Sequence, residues 1–563
     1  MNSSAPIYTP VTLWQGFDAS LALDTSVISE YESGGILLSE MYFSGRALAS
    51  NKRPRIYGVF AMPKGAVNPP AVLVAADENT GVDYGLLKYL CGLGFAAFGF
   101  DYTGEATGKP RFTVYPEEIS YANAVAAGRH KDFCDGSAKE NCWYEWTAAA
   151  RYALSQLKTL LPESRLGAFG MRKGSLIAWQ LAAVDERISA SAAIFFAGWE
   201  RYRGSGSAEE IAPELDDETQ RYLAGIAVES YAGYVRVPML YLSSTNSDLT
   251  YMDRAYSTLA RVPAHVPLVY SFSPRFYNLL GDGSSMNIGL FFRKYLMDED
   301  ISKPKAPKLT VENKEGSVLL RLQCDAAAEL SEAGIYYCLD GSNPVERDWI
   351  RARAFKAGDG IFEASVPSSS FSVLTAYPHV TYADGFTLSG TMCGCGRSAA
   401  DLPYCRIPGK VIYQGTMGED TFVAYPLLAM SSAAEVFMTG NPVQMAEGPL
   451  GIKGVTARVG ALASYKIGTE QYAAKADSLL RLDIYSAQPQ KLTIIIYENK
   501  GTPSERKYRA EAELLGGEMW QPFTLSAPSF KSADNLSMKS FENISMAAFY
   551  TAVPAVYNNI LWV

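Results

Sequence analysis

"RLGAFGMRKGSLIAWQLAA", Arg165 to Ala183, decides the fold. It reads as a short apolar strand, a tight glycine turn and an apolar helix. Gly170-Met171-Arg172-Lys173-Gly174 has the glycine spacing of a nucleophile elbow, G-x-S-x-G, the sharp turn that lifts its central side chain above the end of a sheet. Here the central residue is Arg172. A guanidinium stays protonated and has no lone pair with which to attack. At a helix N-terminus, Arg172 and Lys173 instead suit an anion such as a carboxylate, a phosphate or an acidic sugar. The plainer expectation is that Arg172 fills the space and pairs with Asp248, Asp77 or Glu78, because a buried arginine needs an acid beside it.

Outward from the turn, strand-like and helix-like runs alternate from residue 1 to about 300. "AVLVAAD", "FAAFGFDY", "VPMLYLSST" and "VPLVYSFS" are apolar strands; "YGLLKYLCGLG" and "CWYEWTAAARYALSQLKTLL" are helices. That alternation predicts an α/β fold, a mostly parallel sheet flanked by helices with right-handed crossovers. "DEDISKPKAPK" then breaks the pattern with charge and proline. Residues 307–398 carry short alternating strands such as "GIYYCLDGSNPVERDWIRAR", which predict an immunoglobulin- or fibronectin-like sandwich. A linker, "CGCGRSAADLPYC", leads to 406–563, again strand-rich and expected to form a jelly roll.

The formal charge of −9 offers no basic stripe for nucleic acid. No apolar run approaches a transmembrane span. The start "MNSSAPIYTP" lacks a signal pattern, which fits a soluble protein, cytoplasmic or secreted with its leader removed. Cys393, Cys395 and Cys405 crowd the linker, but their spacing matches no common zinc pattern, and ordinary thiols or a disulfide are the expectation. No cofactor is expected.

"GFAAFGFDYTGE", "VYPEEISYANA", "CWYEWTAAARYAL", the turn at Arg172 and "WQLAAVDERISASAA" together resemble the α/β-hydrolase superfamily, in particular acetyl xylan esterase-like and dienelactone hydrolase-like proteins. The resemblance covers just over half the chain. It implies an acyl-transfer site with a nucleophile, an oxyanion hole, an imidazole base and an orienting carboxylate. The nucleophile position is Arg172. The base would fall at or next to Asn278, within "YSFSPRFYNLLGDG", and no histidine lies between His265 and His379. The carboxylate position aligns with Ser247, with Asp248 one residue on. The oxyanion loop, usually His-Gly, reads Asp77-Glu78-Asn79-Thr80, and acids there would repel a developing oxyanion.

Other nucleophiles read as structural: Ser175 lies inside the helix with no base in view, and Cys91 lies on an apolar helix. The acidic run at 209–218 reads as a solvated surface helix. The last 158 residues resemble a carbohydrate-binding module. In such modules exposed aromatics stack on sugars, which makes Tyr485, Tyr497, Tyr508, Trp520 and Trp562 candidates, although most alternate with polar neighbours as core residues do. Asp483 and Glu498 are weak calcium candidates. Three functions follow. The first is a catalytically degenerate hydrolase fold that binds a carbohydrate or an acidic small molecule. The second is an active ester hydrolase with an unusual acid–base group among Asp248, Glu78 and Tyr277. The third is a structural or assembly protein.

Overall fold

The computed structural model describes residues 7–78, 80–104, 108–131, 133–134, 136–200, 216–301, 303–341, 343–368, 371–396, 410–425, 442–458, 461–502 and 504–563. Most of the acidic run at 209–218, and Cys405, lie outside them.

The first sheet is built from β1 (Ser26–Ser33), β2 (Ile36–Ser44), β3 (Arg55–Pro63), β4 (Ala71–Ala75), β5 (Ala96–Phe100), β6 (Leu166–Met171), β7 (Ile188–Ile194), β8 (Met239–Ser244) and β9 (Leu268–Ser273). Its spatial order is β1-β2-β3-β5-β4-β6-β7-β8-β9. The pairs up to β3–β5 are antiparallel, and every pair from β5 through β9 is parallel. This is the α/β-hydrolase arrangement that the sequence led us to expect. Both faces of the parallel part are covered by helices, so β4 and β5 are continuous apolar runs, buried at every residue. The helix Cys142–Leu160 starts at Asn141, whose side chain accepts the Trp143 N–H at 2.9 Å. The helix Ser175–Val184 is apolar almost all round and lies buried. Because β4 and β6 are neighbours, the loop after β4 and the turn after β6 meet at the carboxyl edge of the sheet, where α/β folds form their crevices.

Two β-sandwiches follow. In the first, one sheet runs Lys308–Lys314, Ser317–Gln323, Ile361–Pro367 and Phe355–Gly358, and the other is centred on Leu330–Leu339 paired with Val373–Tyr382. Its core is continuous with that of the α/β sheet. One apolar cluster runs from Leu280 and Phe291 into Leu322 and Val380. The strand Thr387–Ser389 covers the β9 edge: Ser389 Oγ accepts the Phe272 N–H at 3.0 Å, and Asn287 exchanges bonds of 2.6 and 2.9 Å with the Thr387 backbone. An exposed strand edge is thereby closed.

The second sandwich packs a sheet containing Leu480–Tyr485, Trp520–Leu525 and Val556–Trp562 on one containing Val423–Tyr425, Gln490–Glu498 and Ile544–Thr551. It folds back onto the first body. Ala424 forms a parallel bridge with Phe276, with the Tyr277 N–H donating to Ala424 O and the Ala424 N–H to Arg275 O, both at 3.2 Å.

Candidate functional site

At the carboxyl edge of β6 the chain makes the turn that the glycine spacing predicts. Arg172 has φ of +50°, a left-handed conformation that a long side chain adopts only where its surroundings impose it. The glycines are what permit the close approach. A Cβ on Gly170 would lie 2.4 Å from Ser175 Cα, and one on Gly174 would lie 2.2 Å from Ala75 O. Ser175 is fully buried, with its Oγ 2.9 Å from Gly170 O and 2.8 Å from Ile194 O, and it accepts the Ile194 N–H at 2.9 Å. It splices the helix to the sheet, as the sequence reading expected of a packing serine.

The two backbone N–H groups beside the turn face an acid. Asp77 Oδ1 accepts the Glu78 N–H at 3.0 Å and lies 3.4 Å from the Lys173 N–H. In an acyl-transfer site of this architecture, the N–H after the nucleophile and one from the loop after the equivalent of β4 would hold the oxyanion. Here both converge on a carboxylate of the same loop. The loop is held from beneath: Tyr102 OH donates to Ala76 O at 2.8 Å and Thr103 Oγ1 to Glu78 O at 2.7 Å. Asp101 anchors that support by accepting the N–H groups of Thr103, Gly104 and Thr113, and burial pushes its carboxyl up to about 6.

Arg172 is half-buried and makes no ion pair among the described residues. The expected pairing with Asp77, Glu78 or Asp248 is therefore corrected. Glu78 pairs with Lys131, Asp77 takes backbone N–H groups, and Asp248 is engaged elsewhere. Lys173, a candidate ligand contact, is turned inward. Its ammonium pairs with Glu200, which also accepts Tyr222 OH at 2.8 Å, and it sits 4.2 Å from the Phe196 ring centre.

The loops after β8 and β9 bring the other predicted positions together. Ser247 Oγ donates to Asn278 Oδ1 at 2.7 Å, and Asn278 Nδ2 donates to Asp248 Oδ1 at 2.7 Å. Asn278 itself has φ of +49°, and its N–H bonds Ser244 Oγ at 3.0 Å. So Asn278 touches both candidate carboxylate positions, where an imidazole would be oriented by its acid. A carboxamide holds that geometry but has no ionisable nitrogen with which to relay a proton.

Tyr277 donates its hydroxyl to Asp248 Oδ2. It is 6 % exposed, and burial raises its phenol well above the ordinary value, the opposite of what a general base requires.

The second sandwich closes this network. Lys500, 5 % exposed, donates to Tyr277 OH and to Glu505 Oε2, both at 3.1 Å. Its ammonium lies 4.8 Å from the Tyr277 ring centre and 4.9 Å from that of Tyr497. Tyr425 packs on Tyr277 at 4.6 Å. From the first sandwich, the carbonyls of Val345 and Arg347 accept Asn246 Nδ2 at 2.8 and 2.9 Å. The cleft bordered by Glu200, Asp248, Tyr251 and Arg254 measures about 10 Å³, room for one water. Sequence reading missed Lys500, Tyr425 and Asn246. Lys500 stands in a hairpin turn, "YENKG", where a lysine ordinarily signals nothing but solvent.

The stacking candidates separate. Tyr508 and Trp562, 8 and 3 % exposed, belong to the sandwich interior, and Tyr497, 2 % exposed, is buried at the junction with Tyr277 and Tyr425; no sugar reaches these ring faces, so all three are corrected to buried packing residues. Tyr485 and Trp520 are half-buried cross-strand partners with ring centres 6.2 Å apart. The calcium candidates stand on different sheets. Asp483 bonds Arg481 at 2.9 Å and Asn559 at 2.7 Å, whereas Glu498 accepts Tyr508 OH at 3.4 Å, so they do not form one site.

No protein-family model matches the chain, and no curated protein matches it. Solved structures do. An acetyl xylan esterase from Paenibacillus is 15% identical, with a TM-score of 0.38, covering 49% of this chain and 90% of that one. Acetyl Xylan Esterase 1 from Thermoanaerobacterium is 13% identical, with a TM-score of 0.39, covering 52% and 96%. A cold-adapted esterase from an Arctic intertidal metagenomic library is 13% identical, with a TM-score of 0.31, covering 48% and 99%. Among the described residues no helix is long and apolar enough to cross a membrane.

Proposed function

We propose that the α/β body does not hydrolyse esters, and that the chain is a binding protein on a hydrolase scaffold, with the two sandwiches as accessory modules. One observation carries this reading: Asp77 places a carboxylate against the N–H groups that would otherwise receive an oxyanion. Arg172 at the turn and Asn278 at the base position point the same way. Each supplies a donor where the chemistry needs a nucleophile or a base. The ligand would be a carbohydrate or a small anion. Arg172 favours the anion, and the Tyr485–Trp520 pair is the remaining sugar platform.

The test is hydrolysis of p-nitrophenyl acetate by the intact protein, by Arg172→Ser and by the combined Arg172→Ser, Asn278→His, Asp77→Gly variant. The intact protein, which lacks nucleophile and base, and the single variant, which still lacks the base, are both expected to match buffer, since losing one member of a comparable triad costs nearly as much as losing all of it. Turnover by the intact chain that disappears on one substitution in this network would instead establish an active hydrolase with an unusual acid–base group.

A further inference from the structure

A cleft bordered wholly by described residues lies at the other end of the sheet. It is bordered by the C-terminus of the helix Ser175–Val184 and by the segments that lead into β8 and β9, at the amino ends of the strands. Its volume is about 520 Å³, within the range of small-molecule sites. The walls are apolar: Trp14, Val184, Val235 and Pro263. Gln15, Tyr234 and His265 also border the cleft, its charged residues are Arg151 and Arg236, and no aspartate or glutamate borders it, although the chain as a whole is acidic.

The inner wall is built rigidly. Trp14 Nε1 donates to Tyr231 OH at 3.0 Å, which fixes the indole. The Arg151 guanidinium lies 3.9 Å from the Phe17 ring centre and 5.2 Å from that of Trp14. Its Nε bonds Asp185 at 3.0 Å, and Arg187 bonds the same carboxylate at 2.7 Å, so two arginines share one acid. Arg151 Nη1 is buried with no acceptor. Arg236 is exposed at the mouth and makes no ion pair among the described residues. The net charge around the cleft is therefore positive, and its floor is aromatic and aliphatic.

We infer that this cleft binds a small organic monoanion with a flat apolar body, such as an arylalkyl carboxylate. The body would lie along Trp14 and Val184, and the carboxylate would meet Arg236 at the mouth, with the excess charge of the Arg151–Arg187–Asp185 cluster behind it. Apolar contact supplies affinity and the charge supplies selectivity. The site is separate from the turn at Arg172 and holds whether or not the scaffold hydrolyses esters.

A matched pair of probes tests it by titration calorimetry on the full chain: 4-phenylbutyrate and its uncharged amide. Saturable one-to-one binding is expected, with the carboxylate at least tenfold tighter. Arg236→Gln should bring the carboxylate to the amide's level, and Val184→Trp, which fills the cleft, should abolish binding of both. Equal affinity for the two probes, no saturable binding of either, or binding indifferent to both substitutions would overturn the inference.

Discussion

The turn at Arg172 and the loop at Asn278 sit at the same edge of the same sheet and differ in what holds them. The turn is fixed by its own neighbourhood: two glycines, a spliced serine and a loop from the adjacent strand, all within the α/β body. The loop is fixed from outside. Its backbone pairs with Ala424, its tyrosine meets Lys500, and the neighbouring Asn246 is held by Val345 and Arg347. Lys500 is 223 residues from the tyrosine it contacts. At the turn, chemistry could be altered by side chains alone. At the loop, restoring an imidazole would still leave it under a second module. A scaffold can thus keep its local geometry at one position while another becomes part of an interface between modules.

Three substitutions or conditions press on that contrast. The largest effect is expected from Gly174→Ala. Its methyl would meet two backbone carbonyls, Ala75 O at 2.2 Å and Ala76 O at 2.3 Å, which cannot rotate away. A loss of about 3 kcal/mol, the upper end of what overpacking typically costs, follows because the clash is with backbone. Denaturant titration reads it, and a loss under 1 kcal/mol would mean that the turn is not locally locked.

Lys500→Met comes next. It keeps most of the side-chain volume but leaves Glu505, about one-third exposed, without its ammonium and Tyr277 without its donor. Discounted for that exposure, the cost is about 2 kcal/mol. The loop at 275–278 should become cleavable in limited proteolysis while the turn at 170–174 stays protected. Equal protection of both would show that the second sandwich does not hold the loop.

The smallest effect is on pH dependence, at the junction with the first sandwich. His379 lies beside Ser389 at 3.2 Å, and burial pulls its imidazole down to about 3. The unfolded chain takes up that proton near pH 6.5, so the stabilisation is complete above 6.5 and is lost as pH falls from 6.5 towards 3. The loss by pH 5 is about 1 kcal/mol, because the side chain is only half-buried by exposure. Melting curves at pH 7 and pH 5 should converge for His379→Asn relative to the parent chain. An unchanged difference would remove His379 from the junction's energetics.

Much of the fold was legible because its signals are local. Alternating apolar strands and helices predict a parallel sheet, and the glycine spacing at 170–174 predicts the turn. The residue types at Arg172 and Asn278 and the acids at Asp77 and Glu78 are read directly. The change of pattern between 1–300 and 307–398 was legible. That their cores run together through Phe291 and Leu322 was not, because a charged, proline-containing linker says nothing about what packs across it. The aromatics of the last sandwich show the same limit. Period-two alternation places Tyr497 and Trp562 on one face of a strand but does not say whether that face meets a sheet or solvent.

The sequence by itself determined which chemical groups stand at the turn, at the loop and in the strands between, since side-chain chemistry travels with residue identity. Only the tertiary structure decided that Asp77 faces the N–H groups beside the turn, that Lys500 seals the loop at Tyr277, and that Arg151 and Arg236 gather at the far end of the sheet without an acid at the mouth. Those are contacts between residues tens to hundreds of positions apart. They are set by strand order and by the docking of one module on another, which no local pattern of residues encodes.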